Sequence, residues 1–460
     1  MNLARAPLRD RPASPEPHFA RISADPLADA FSGRMGAHAR GSAQPVPADE
    51  VAALWGQLTA TPRKGPSVAY VHIPFCENHC LFCGFYQNPW RREAGAPYVD
   101  AVLAQLARGA ETAVQRGHPL RAVYLGGGTP TALATQDLVR LVEGLRRHLP
   151  LAPDCEITLE GRIVSFGLEK ARAAFDAGVN RISLGVQSFD ERVRRRLGRK
   201  STRAETIRFL DGLMALDRGA VVIDLIYGLP GQDRATFRAD LRQAVALGLD
   251  GLDIYSLKAI PGTPLLIAQD KGKLTPAAPE ELGHFYADGA DEMDRAGWEA
   301  ISTTHWRRGT RERSIYNHEV KAGAHCLGFG AGAGGNLHGH GYRLTPDLDA
   351  YRAGTAPVAG LMRPAPLAPV HNAIKAGMER GRLEAAPVDA ALAASGIAAC
   401  FDRIAAPLLT QWQQAGLMKA REGGHALTLA GRFWQVAMTA RLMAWTDARA
   451  TDFTTEETQQ

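Results

Sequence analysis

The sequence predicts an α/β protein, a partial (β/α)6 barrel followed by a C-terminal, mostly helical, winged-helix-like domain. Three observations predict it. Six short β-rich runs alternate with longer amphipathic stretches between residues 66 and 258; the runs are nearly continuous in apolar character; and the alternation stops after about residue 365. Continuous apolar strands separated by helices make a parallel sheet covered on both faces.

Residues 1–60 are rich in Ala, Pro, Arg and Asp without a sustained period, and read as a loosely ordered extension with a short helix at 25–38. The barrel is expected over 61–300. Its strands are "SVAYVHI" (67–73), "AVYLG" (122–126), "EITLE" (156–160), "RISLGV" (181–186), "AVVIDLI" (220–226) and "LDIYSL" (252–257). Helical periodicity fills the gaps at 98–114, 135–149 and 233–248. Residues 301–365 read as a substrate-side subdomain, 366–450 as the helical domain and 451–460 as a tail. In the helical domain, helices, a turn at "EGGHA", a short strand and a last helix follow in winged-helix order. Such modules often bind DNA through a basic helix, but "LLTQWQQAGLM" carries no basic face, so a packing or lid role over the barrel mouth is expected and nucleic acid is not.

With 460 residues, 45% of them hydrophobic, the chain can build two or three cored domains. Six cysteines, three of them within eight positions, do not resemble a secreted disulfide framework, and point to a reducing compartment and to metal binding or catalysis. The first residues lack the apolar core of a signal peptide, and nowhere do eighteen apolar residues run together, so a soluble cytoplasmic protein is expected. A formal net charge of +5 does not by itself select a partner.

In parallel α/β folds chemistry gathers at the C-terminal ends of strands. Here "CENHCLFC" (Cys76, Cys80, Cys83) follows the first strand and "GGGTPT" (126–131) the second. Glu160 ends the third, Gln187 the fourth, and Asp224 lies near the end of the fifth. Three thiolates spaced C-x3-C-x2-C can hold one side of a [4Fe-4S] cluster and leave one iron without a protein ligand. A structural zinc with His72 or His79 as fourth ligand is the other reading of the same spacing.

The cysteine spacing after a first strand resembles the radical S-adenosylmethionine (SAM) superfamily. With it, "YVHIPFC", "YLGGGTPT", "GVNRISLGVQSFD" and "DLIYGLPGQ" resemble the branch of oxygen-independent coproporphyrinogen III oxidases, over residues 66–445. The resemblance implies a [4Fe-4S] cluster on Cys76, Cys80 and Cys83, with SAM chelating the open iron and yielding a 5′-deoxyadenosyl radical on reduction. It implies SAM contacts by Tyr70, Gly127, Gly128, Thr129, Glu160, Gln187, Arg199 and Asp224. The glycines permit close backbone approach, and Arg199 offers a forked donor to a carboxylate. Taken singly, each polar residue reads equally as a strand-end or surface group.

Within the branch, the oxidases carry a fourth cysteine where this chain has Phe85, and the related heme chaperones differ at Gly84 and further on. "CGFYQN" and "THWRRGTRERSIYN" resemble the anaerobic heme-degrading radical SAM methyltransferases. That resemblance implies opening of heme to a linear tetrapyrrole with iron released, and electrons from a flavodoxin-like or other reductase. Oxidative decarboxylation and non-catalytic heme binding are the alternatives. Arg307, Arg308, Arg311 and Arg313 against Glu312 offer a partner for porphyrin propionates, or a solvated loop; Arg307, Arg311 and His305 are taken as substrate candidates. His325, His338 and His340 are further candidates for heme iron. The run "GFGAGAGG" (328–335) suits close backbone approach to a flat ligand or a flexible loop, and Cys155, Cys326 and Cys400 read as buried fillers.

Overall fold

The computed structural model describes residues 17–33, 43–84, 86–258, 260–275, 277–354 and 358–450. Phe85, residues 1–16, positions 34–38 of the expected short helix and the 451–460 tail therefore lie outside the described residues. The six expected strands form in the expected order: β1 (Ser67–Ile73), β2 (Leu120–Gly127), β3 (Leu151–Gly161), β4 (Arg181–Gln187), β5 (Ala220–Tyr227) and β6 (Gly251–Ser256). Neighbours pair in parallel throughout. The crossovers are carried by α1 (Arg92–Gly109), α2 (Thr135–His148), α3 (Leu168–Ala177), α4 (Arg203–Ala215) and α5 (Arg234–Ala246), and a sixth helix, α6 (Leu282–Arg295), follows β6.

The sheet does not close into a ring. Beyond β6 the strand β7 (His305–Arg307) returns antiparallel. Beyond β1, the strand β8 (His325–Phe329) pairs in parallel and leads into an antiparallel run of β9 (Gly334–Leu337), β10 (His340–Leu344) and β11 (Val358–Arg363). The glycine run thus becomes strand and turn packed on β1, where Gly330 (φ +98°) lies against the His72 carbonyl with no room for a side chain.

The parity of each strand separates two environments. Ala69, Val71, Val123, Leu125, Leu159, Ile182, Leu184, Ile223, Leu225 and Ile254 pack on the helices in the main core. The alternate residues face the concave side, where Val68, Ala122, Cys326 and Ile315 form a small apolar plug. The plug is delivered by α7 (Ile315–Lys321), whose first amides, Ile315 N and Tyr316 N, donate to the Glu156 carboxylate. A carboxylate at a helix start satisfies amides that have no partner within the helix.

The C-terminal domain follows the order α8 (Ala368–Glu379), β12 (Arg382–Glu384), α9 (Ala385–Ala394), α10 (Phe401–Gln414), β13 (Met418–Arg421), β14 (Gly424–Leu427) and α11 (Gln435–Ala450), with β14 in the middle of the small sheet. Its bonds to the barrel run from Glu379 to Thr303 and Lys321 and from Arg432 to Ser302. Those partners flank β7 and α7, so the domain packs on that part of the barrel. Cys400 is exposed just before α10, against the expectation of burial, while Cys155 and Cys326 are buried.

Residues 17–31 depart from the loosely ordered reading of the N-terminus. Ala20 exchanges two hydrogen bonds with the Gln411 amide, at 2.8 and 2.7 Å, and Trp434 Nε1 donates to the Pro26 carbonyl. Phe31 packs edge-on to Trp434, and the Leu27 carbonyl lies against Gly283 of α6. The segment is a strap between the two domains. Among the described residues no helix is long and apolar enough to cross a membrane.

Removing residues 1–31 strips Trp434 and Gln411 of these partners. A melting point lower by about 5 °C or more, read by circular dichroism against the full chain, is the expected result.

Candidate active site

The cysteine loop leaves the end of β1 and is held by backbone. Gly128 N donates to Ile73 O and Thr129 N to Phe75 O, both at 2.7 Å, while Trp90 N closes the loop onto Cys76 O at 2.8 Å. A methyl group at Gly128 would overlap the Phe75 and Ile73 carbonyls, so the glycine turn after β2 and the cysteine loop interlock only without a side chain there. Thr129 Oγ1 lies 3.5 Å from Cys76 Sγ, Cys76 and Cys80 are buried, and Cys83 is half-buried. Burial raises the Cys76 thiol pKa, with the Thr129 hydroxyl working against it.

Whether these residues fit a cluster can be asked of the donors themselves. Among the described residues no three His, Cys, Asp or Glu side chains converge on one ion. His79 stacks on Tyr86 with ring centres 4.5 Å apart and contacts the Cys83 carbonyl, and His72 Nδ1 meets the Tyr70 hydroxyl at 2.9 Å. Among the described residues no histidine joins the cysteines as a fourth zinc ligand. Three thiols spread along one loop beside cationic side chains suit an iron–sulfur cluster with an open corner.

Around the loop stand the strand ends. Gln187 occupies the left-handed region (φ +67°) at an irregularity in β4, and Gly185 leaves space for both its amide and the Arg199 guanidinium. Backbone held there by a residue other than glycine is strained, and such strain concentrates at working sites. Gln187 Oε1, Arg199 Nε and Arg162 Nε are buried without protein partners. Buried polar atoms left open in this way mark a place where a polar ligand completes the bonding. Arg162 was not foreseen; it stands two residues past Glu160 on the same strand end, donates to the Asn78 carbonyl and lies near Cys76. Period-two spacing from Glu160 was the signal that could have found it.

Glu160 accepts from the Gly127 amide and the Tyr124 hydroxyl; burial nonetheless raises its pKa to about 7. Tyr70 packs with Tyr124, ring centres 6.4 Å apart, and with Tyr316 beyond. Tyr70, Glu160 and Asp224 thus share the concave face, with Gly127, Gly128, Thr129 and Gln187 at the strand ends and Arg199 beside Gly185.

The substrate candidates divide. His305 is buried at the floor of the concave face, its Nδ1 2.7 Å from Asp253 Oδ2 and its Nε2 3.3 Å from Glu312 Oε1; Arg181 Nε reaches both Glu312 oxygens at 3.1 and 2.9 Å. Arg307 and Arg311 do not reach the mouth. Because β7 runs against β6, Arg307 falls beside Gly251 at the strand's start, where it pairs with Glu299 at 2.7 Å. Arg311 pairs with Asp217 at 2.7 Å and Arg313 with Asp154 at 3.2 Å, around a hollow of about 340 Å³ under the barrel. Each rim arginine already has a carboxylate, which leaves little for a propionate. His325 and His338 meet, ring centres 4.8 Å apart, beside Ser67 at the start of β1, also away from the mouth.

With the geometry described, comparison with known proteins adds the lineage. Residues 70–244 match the model of the Radical SAM superfamily. The chain is 42% identical to anaerobilin synthase of Escherichia coli O157:H7 over 91% of this chain and 92% of that protein. It is 31% identical to the heme chaperone HemW of Escherichia coli K12 over 59% of this chain and 70% of that one, and 30% identical to an oxygen-independent coproporphyrinogen III oxidase of Synechocystis over 58% and 60%. The solved coproporphyrinogen III oxidase (HemN) of Escherichia coli shares the fold, with a TM-score of 0.71 at 23% identity over 84% of this chain and 92% of that one.

Two outcomes follow from the geometry. Gly128→Ala should yield folded protein that retains far less iron after anaerobic reconstitution than the parent, measured by iron and sulfide content. The floor should also set a pH window. Burial alone would lower the His305 pKa, but Asp253 and Glu312 raise it to about 9, and Arg181 and His305 hold Glu312 down to about 2 against its own burial. The histidine's share of stability is complete below its unfolded value of about 6.5 and fades as pH rises through 9. The glutamate's share is complete above about 4.5 and fades as pH falls. Melting points should therefore decline between pH 6.5 and 9, and His305→Gln should flatten that decline.

Proposed function

The chain belongs to the radical SAM superfamily, and on that premise we propose that it opens the heme macrocycle without oxygen, as a methyltransferase giving a linear tetrapyrrole and releasing iron. The observation that carries the reading is the 42% identity to anaerobilin synthase, which spans barrel and C-terminal domain alike, whereas the chaperone and oxidase relatives match little more than half of this chain.

A [4Fe-4S] cluster bearing SAM on its open iron supplies, when bound, one-electron cleavage of the sulfonium and a carbon-centred radical. Cys76, Cys80 and Cys83 would hold the cluster, and Thr129 would temper the charge on Cys76 with its hydroxyl. Gly127 and Gly128 present backbone without bulk to the SAM amino group, and Glu160, with its pKa raised to about 7, is placed to take that group as an ion pair. Arg199 and Arg162, each with a buried guanidinium nitrogen unpartnered, suit the SAM carboxylate, while Gln187, Asp224 and Tyr70 line the remaining side. The tetrapyrrole would occupy the concave face above Tyr70, Tyr124 and Tyr255, whose rings match a flat apolar macrocycle. A flavodoxin-like or other reductase would deliver electrons at the half-buried Cys83 side of the loop, in a reducing cytoplasm.

The test is incubation of reconstituted protein with heme, SAM and a reductant under strict anoxia. The expected result is loss of the heme Soret band with a methylated linear tetrapyrrole by mass spectrometry, abolished in Cys80→Ala and retained in Cys400→Ala. Heme bound tightly and recovered unchanged would favour a chaperone, and decarboxylation of coproporphyrinogen would favour the oxidase.

A further inference from the structure

One row of side chains crosses the concave face. Gly185, Asp224, Asp253 and His305 are register partners on β4, β5, β6 and β7. Gly251 has no side chain, and one there would press on the Glu312 side chain and on His305 Nε2, so the strand leaves space for the buried ring. An imidazole with a carboxylate close to each nitrogen is favoured as the cation, with a proton on both nitrogens. Asp224 sits beside Asp253 in the same row, and burial together with the neighbouring Asp253 carboxylate raises the Asp224 pKa well above the ordinary carboxylate value. The row therefore stores protons. Tyr255, two residues beyond Asp253 and on its face, bonds to the Asp253 carboxylate and is 39% exposed, so its side chain links the buried row to the open concavity. The other charged or titratable groups facing this row are Glu312 and Arg181 at the floor, His318 from α7, and Glu160 and Tyr124 towards the mouth.

Heme opening has a proton requirement that radical chemistry does not meet. When iron leaves a porphyrin, each iron–nitrogen electron pair stays on nitrogen, and two N–H bonds must form in place of the metal. No redox change of the ring is needed in that step. We propose that His305, Asp253 and Tyr255 form a proton relay that supplies the tetrapyrrole nitrogens as iron departs, with Tyr255 touching the substrate and the other two acting through it as positioning residues. The tyrosine hydroxyl gives its proton to a ring nitrogen and takes one from Asp253. Asp253 in turn takes the Nδ1 proton of His305 for one N–H bond and the proton held by the adjacent Asp224 for the other, and His305 and Asp224 recover theirs from water between turnovers. This inference rests on the heme-opening reading.

The experiment is a single turnover of the reconstituted full chain with heme, SAM and reductant, following 5′-deoxyadenosine, tetrapyrrole and chelatable iron from pH 6 to 8. Tyr255→Phe and Asp253→Asn are compared with the parent, the first because it removes one oxygen and leaves the fold intact. In the parent, iron release should vary little with pH, because the store is internal. Per 5′-deoxyadenosine formed, both variants should release iron about a hundredfold more slowly than the parent, with a rate that climbs as pH falls because bulk acid must now supply the protons. Parental iron release with an unchanged pH profile in both variants overturns the relay. Joint loss of 5′-deoxyadenosine and iron release at every pH also overturns it, by marking a structural role. A parent that leaves heme closed sinks the functional reading itself, and is recognised without any variant.

Discussion

Two backbone hydrogen bonds, Gly128 N to Ile73 O and Thr129 N to Phe75 O, tie the end of β1 to the end of β2, and the candidate site depends on them. They fix the root of the cysteine loop to the parallel ladder of β1 and β2. A loop of this length on a free tether would scatter its thiols; pinned at both strand ends, it starts and finishes within reach of one place. The glycine turn is therefore a structural partner of the cysteines before it is anything else. Its lack of side chains serves the interlock with β1 as well as any ligand that lies over it.

The same sheet solves two opposite problems with one alternation. Residues of one parity meet the crossover helices and are uniformly apolar; residues of the other parity meet the concavity and include Tyr70, Tyr124, Glu160, Asp224 and Asp253. This explains why the strands read as continuous apolar runs broken by single polar residues. Each break is a concave position. The six strands, the order of the motifs and the gathering of the cysteines with Glu160, Gln187 and Asp224 at one end were all legible, because parallel topology places every strand end on the same side.

What could not be read followed from reversals and from distance. β7 runs antiparallel, so Arg307 and Arg311, downstream of a strand, land at the opposite end of the sheet from the cysteines. A charge count along "RRGTRER" carries no information about that reversal. The strap at 17–31 has no periodicity of its own because its partners, such as Gln411, lie almost 400 residues away and supply the bonding that its composition lacks. Arg162 was hidden for a smaller reason: it lies outside any motif, and only its parity with Glu160 points to it.

The floor of the barrel is costly as a stabilising device. Arg181, Glu312 and His305 are all nearly without solvent, and replacing such a network by apolar side chains is often neutral or favourable, while breaking one partner typically costs about 3–5 kcal/mol. An apolar plug was available at the same level of the barrel, since Val68, Ala122 and Ile315 already make one on the neighbouring strands. Beyond Glu156 at the start of α7, the buried charges gather on the β4–β7 side, the side that carries Asp224 and Asp253. Packing alone gives no reason for that asymmetry. A requirement for protons or for fixed charge beneath a substrate does, and it accounts for why the row joins a buried histidine to a partly exposed tyrosine.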